Sequence, residues 1–113
     1  MDCIFCGIVA GKVPANIVYQ DELVTAFRDI KPQAPIHILV IPNVHLESVS
    51  DLQPEHDRLV GHMISIANQL AVQEEINQSG YRLVINRGEH GGQSVYHLHV
   101  HLLGGRWMRW PPG

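Results

Sequence analysis

A chain of 113 residues, 45% hydrophobic and 17% charged, has the length and apolar content of one domain spanning 1–113 with a core of its own. Eight Lys and Arg stand against eleven Asp and Glu, a formal charge of -3, which excludes a broad electrostatic grip on nucleic acid and leaves any anionic ligand to a local site. Met1-Asp2-Cys3 places an acid where an export signal is basic, and no segment is apolar for long enough to span a bilayer. The two cysteines are therefore expected as reduced thiols in a cytoplasmic protein, with no membrane and no nucleic-acid partner.

In chain order, Ile17-Val18-Tyr19 and Leu23-Val24-Thr25-Ala26-Phe27 are β-prone runs around Gln20-Asp21-Glu22, which reads as a hairpin turn. A third strand is predicted from Ile36 to Ile41, between Pro35 and Pro42, which suit strand ends. Pro54 fits the first turn of a helix whose N-terminus Glu55 and Asp57 favour. Leu59, Met63, Ile66 and Leu70 form one apolar row, and Val60, Ile64, Ala67 and Ala71 the row beside it, so this helix is amphipathic and packs on a sheet. It is expected to end near Asn77, closed by Gly80 in the left-handed conformation. Tyr81 to Asn86 reads as a fourth strand and His97 to Leu103 as a fifth, joined through Gly88, Gly91 and Gly92. Strands around one long helix predict an α+β fold with a mostly antiparallel sheet.

In a strand, His97, His99 and His101 share one face while Leu98, Val100 and Leu102 share the other, where they bury under the helix. Three imidazoles roughly 7 Å apart along a row then line the opposite face. One such histidine alone is most often a solvated residue, and three can also cage a metal. The preceding stretch, Gly88-Glu89-His90-Gly91-Gly92-Gln93-Ser94, favours phosphorus chemistry: adjacent glycines let backbone N–H groups approach an anion, and Ser94 adds a hydroxyl. Asn86 stands close enough in sequence to donate to the same ligand. Neutral histidine, with an ordinary pKa near ~6.5, attacks phosphorus without a second base, and the middle histidine has a partner on each side.

Cys3-Ile4-Phe5-Cys6 is a Cys-x-x-Cys pair, open to reading as half a zinc site, a redox motif or coincidence. The redox reading expects a preceding strand, for which there is no room before Cys3. His56 and His62 read as helix-surface residues and His90 as a loop residue, none in the site. Trp107 and Trp110 are expected to cover a partner or the chain's own core.

His97-Leu98-His99-Val100-His101-Leu102-Leu103 is similar to the His-φ-His-φ-His-φ-φ signature, φ apolar, of the histidine triad (HIT) family. The resemblance runs from Ile4-Phe5 through Phe27-Arg28-Asp29-Ile30 and Pro32-Gln33-Ala34-Pro35 to Trp110-Pro111-Pro112-Gly113. The Gly91-Gly92-Gln93-Ser94-Val95-Tyr96-His97 run and the short tail resemble the Hint branch. They separate it from the Fhit-like dinucleoside polyphosphate hydrolases, whose chains continue well beyond the triad.

That resemblance implies a HIT fold: a five-stranded sheet, one long helix and a short N-terminal helix, the sheet extended across a homodimer. It implies binding of purine nucleoside monophosphates and hydrolysis of phosphoramidates such as adenylated amines. By resemblance His99 attacks the α-phosphorus, and water clears the nucleotidyl-histidine. His101, His37, Ser94 and the backbone around Gly92 and Gln93 would contact phosphate, Asn86 would lie near the phosphate or the scissile bond, and Asp29 would take the ribose hydroxyls. Phe5, Ile8, Val13, Phe27 and Ile30 match the family's base-binding wall. The same resemblance implies a structural zinc on Cys3, Cys6, His45 and His97, no organic cofactor, and a C-terminal tail reaching toward the partner's active site. The alternatives are a non-enzymatic purine-nucleotide-binding protein, a Fhit-like hydrolase, and a metallohydrolase with its metal on the triad.

Overall fold

The computed structural model describes residues 3–113; Met1 and Asp2, part of the argument against an export signal, lie outside the described residues. Five strands form one antiparallel sheet in the order β1-β2-β3-β5-β4. They are β1 (Ile17–Gln20), β2 (Val24–Arg28), β3 (Ile36–Pro42), β4 (Tyr81–Val84) and β5 (Val100–Gly104). The α-helices are α1 (Ile4–Val9), α2 (Asp57–Gln73), which follows a 3-10 turn at Pro54–His56, and a single turn, α3 (Gly88–Gly91), inside the glycine-rich connection. Among the described residues, no helix is long and apolar enough to cross a membrane.

The period-two alternation sorts the side chains onto two faces. Val24, Ala26, Ile38, Val40, Leu98, Val100 and Leu102 form one core with Met63, Ile66, Ala67, Leu70 and Ala71 of α2. Each of the larger aliphatic groups stabilises the fold by roughly 1.5–3 kcal/mol through burial. Phe27, Leu39 and Ile41 face the other way and form a second core with Phe5 and Ile8 of α1. α2 therefore covers one face of the sheet, and short α1 covers part of the other.

The structure shifts several sequence-based boundaries. The hairpin turn lies one residue later: Gln20 is in β1, and the Asp21 carboxylate accepts the N–H groups of Leu23 and Val24 at 2.8 Å each, an Asx turn. α2 ends at Gln73 rather than near Asn77, and Glu75, not Gly80, takes the left-handed turn at φ 60°. There the Ile76 N–H bonds the Ala71 carbonyl and the Glu75 N–H the Val72 carbonyl, a Schellman closure. Ile76 is 4% exposed, so burial of that apolar side chain sets where the helix turns and overrides the preference for glycine.

β4 stops at Val84, and β5 begins at Val100 rather than His97. The ladder with β3 starts at Val40 opposite Val100 because Pro42 has no N–H to give, and the Leu98 N–H turns instead to the Leu46 carbonyl at 2.7 Å. His97 and His99 thus precede the strand, yet the alternation of faces persists through them. His62 does more than sit on a surface: its Nε2 lies 2.7 Å from the Asp21 carboxylate and ties α2 to the hairpin turn. Trp107 and Trp110 are 94% and 81% exposed and cover none of the chain's own core.

Candidate active site

Beyond the edge of α1 the second sheet face is left open, and a cleft of about 300 Å³ lies there. Its lining is apolar at Phe5, Ile8, Val13, Phe27, Ile30 and Leu39 and polar at Asp29, Ser94, His99 and His101. Nine of the residues expected at a nucleotide site therefore meet in one place. Leu39 was missed by sequence reasoning, although its alternation with His37 and Ile41 along β3 places it on this face. Lys31 also lines the cleft and was missed, with no signal beyond its nearness to Asp29.

His37, Asn86, Gly92 and Gln93 lie outside the lining. Gln93 is buried and acts on the loop from within: its carbonyl oxygen accepts the Gly88 N–H at 2.9 Å, and its amide donates to the carbonyls of Glu47 and Val95 at 2.7 and 3.1 Å. That holds the chain on either side of Ser94. Gly92, at φ 81°, closes α3 in the left-handed conformation. A wider groove of about 660 Å³, lined by Tyr81, Arg82, Arg106 and Trp107 among others, holds none of the expected site residues.

Hydrogen bonding determines which ring nitrogen of each histidine carries its proton. His99 Nδ1 lies 2.7 Å from the His97 carbonyl, which can only accept, so Nδ1 is the N–H and Nε2 keeps its lone pair. The backbone N–H of Gln33 donates to His37 Nδ1 at 3.0 Å, which in neutral imidazole leaves the proton on Nε2. His37 Nε2 is 2.9 Å from His101 Nδ1 and 3.4 Å from the Asp29 carboxylate. The His37 N–H accordingly donates to His101 Nδ1, and His101 carries its own proton on Nε2, a buried atom without a partner among the described residues. Two backbone groups thus set a lone pair on His99 and an N–H on His101, whose ring centroids are 4.9 Å apart.

Both supporting imidazoles are neutral near pH 7. Burial pushes His101 down to about 4, and the neighbouring His99 and His37 push the same way. His37 is lowered by burial, against the pull of Asp29 and with a contribution from His99.

Behind the cleft, Cys3, Cys6, His45 and His97 bring four ligand atoms within 4.8 Å of one another. Cys3 Sγ and Cys6 Sγ lie 3.4 and 3.7 Å from His97 Nδ1, Cys6 Sγ lies 3.3 Å from His45 Nδ1, and the two Nδ1 atoms are 3.2 Å apart. The edges of a tetrahedron around zinc, built from its usual bond lengths, are roughly 3.3–3.8 Å, so this donor set fits the ion. His97 is fully buried, and its Nε2–H donates to the Pro42 carbonyl at 2.8 Å, which leaves Nδ1 as the ligating nitrogen.

The fold and site together define an α+β domain with an antiparallel sheet, an apolar cleft and two adjacent imidazoles in its lining. The family model of the HIT domain matches residues 10–108, and the chain belongs to that family. It is 55% identical over 105 residues to the purine nucleoside phosphoramidase of Escherichia coli (strain K12), covering 93% of this chain and 88% of that one. A 14 kDa zinc-binding protein of Zea mays is 51% identical over 112 residues, covering 97% and 87%. The crystal structure of a HIT family hydrolase from Legionella pneumophila Philadelphia 1 matches with TM-score 0.98 and 47% identity, covering 99% of this chain and 100% of that one.

Proposed function

We propose that this protein is a purine nucleoside phosphoramidase that works through a covalent nucleotidyl-histidine at His99. The observation that carries the reading is the anchored imidazole: His99 Nδ1–H is held by the His97 carbonyl at 2.7 Å, which leaves the Nε2 lone pair free on a ring that lines the cleft. The base packs among Phe5, Ile8, Val13, Phe27 and Ile30, and Asp29 accepts from the ribose hydroxyls. The α-phosphate then lies between His99, His101 and Ser94. On the same reading Asn86 and the backbone of Gly92 and Gln93, neighbours of Ser94 in the glycine-rich connection, complete the phosphate contacts.

In the first step His99 Nε2 bonds to phosphorus as the phosphorus–nitrogen bond breaks, and the amine departs with a proton taken from solvent. His101 Nε2–H donates to a phosphoryl oxygen as charge gathers there. In the second step a water oxygen bonds to phosphorus and the bond to Nε2 breaks. Nucleoside monophosphate and a proton leave, and neutral His99 is restored. His37 does not touch the ligand in this scheme; it holds His101 in the donating form.

The cysteine–histidine cluster holds zinc in a closed four-ligand site, where the ion supplies structural cross-linking rather than a reacting water, and no organic cofactor is required. Reduced thiols at Cys3 and Cys6 fit a cytoplasmic protein. β4 lies at the sheet's edge, and exposed Trp107 and Trp110 support a homodimer in which a partner covers them.

The test is mass spectrometry of intact protein mixed with an adenosine phosphoramidate and quenched early. One adenylyl group should appear on the wild type and map to His99, and none should appear on His99→Ala. An adduct that survives that substitution overturns the assignment of the nucleophile.

A further inference from the structure

Phe5 belongs to two sites at once. It lies inside the Cys3-Ile4-Phe5-Cys6 segment, whose first residue caps α1 with its sulfur facing the Cys6 N–H at 3.4 Å. Its ring is 7% exposed and meets three others edge-on: Phe27 of the cleft wall at 5.2 Å, His97 of the cysteine–histidine cluster at 5.9 Å, and His99 at 5.3 Å between centroids. The His97 carbonyl fixes His99 by a second route, through Nδ1.

A metal on Cys3, Cys6, His45 and His97 immobilises both ends of the segment that carries Phe5, together with the ring Phe5 leans on. A purine base in the cleft packs against Phe5, which is part of its lining. Each ligand therefore orders the same side chain, and the ordering supplied by one need not be supplied again by the other. The two affinities must then rise together by the same factor.

We propose that Phe5 is a positioning residue that couples metal occupancy of the cysteine–histidine cluster to nucleotide affinity in the cleft, each raising the other. This rests on the zinc and purine-nucleotide readings above.

The experiment measures zinc affinity of the holoprotein by competition with a chromophoric chelator, with and without saturating AMP. AMP should tighten zinc about fivefold or more, the range of ordinary coupling between sites. Phe5→Leu keeps an apolar filler in the cleft but removes the ring edges, so AMP should bind more weakly and zinc should still bind, and the zinc-affinity ratio measured at AMP concentrations that saturate the variant should fall close to one. A wild-type ratio of one, with zinc and AMP each shown to bind, overturns the coupling and leaves the two site readings standing. A full ratio in Phe5→Leu means that AMP acts by general stabilisation, and overturns the role of Phe5. Protein that binds no zinc or no AMP overturns the underlying readings and the coupling with them.

Discussion

His37 Nε2 lies 2.9 Å from His101 Nδ1, and this contact decides which nitrogen of His101 carries the proton. Its influence starts at a backbone group, the Gln33 N–H, and passes through His37 to His101.

Removing His37 should therefore damage turnover more than binding. His37→Ala frees His101 to adopt either tautomer, and kcat should fall about 10- to 100-fold while KM changes little, a loss at the low end of proton-donor effects. Steady-state kinetics on an adenosine phosphoramidate give the split. A rise in KM at constant kcat would instead make His37 a binding residue.

Acid should weaken the fold before its carboxylates titrate. His101 takes up its proton only at about 4, and His37 also below the ordinary 6.5, in both cases chiefly because burial disfavours the charged ring. Between those values the unfolded chain binds protons that the native chain does not, so stability is complete above pH 6.5 and declines as pH falls toward 4. Urea midpoints at pH 7.5, 6 and 5 should drop in that order. A flat series would contradict neutral burial of the two rings.

Zinc removal should cost stability. A closed Cys2His2 site contributes to folding directly, so chelation should lower the thermal midpoint by about 10 °C or more. Purified protein should contain about one zinc per chain, by metal analysis after purification without chelator.

Glu75 is a non-glycine residue held at φ 60° to close α2. Glu75→Gly relieves the steric cost of that conformation and should raise stability by about 0.5–1 kcal/mol, measured by urea denaturation, with no effect on the cleft. A loss of stability would mean that the unfolded-state entropy of glycine outweighs the relief.

Much of this was legible from local pattern. Alternation along Val24–Arg28 and Ile36–Pro42 separates the α2 core from the cleft face, because the side-chain period of a strand is two whatever it packs against. The rows on α2 identify its buried stripe for the equivalent reason. The end of α2 was not legible: Gly80 was the better local candidate, and only the burial of Ile76 selects Glu75. Nor was the start of β5, which depends on Pro42 of another strand and on the Leu46 carbonyl accepting the Leu98 N–H.

The division of labour among the histidines follows the same line. Sequence alone determined that three imidazoles recur at alternate positions beside a glycine-rich turn, and that two cysteines are spaced to share a ligand. Tertiary structure decided that His97 turns its Nδ1 to the cysteines and His45, and that His99 is anchored through Nδ1. It also decided that His101 receives its hydrogen bond from His37, 64 residues away in the chain. An imidazole has two nitrogens of similar basicity, and only the partners that folding brings to each nitrogen fix which one holds the proton.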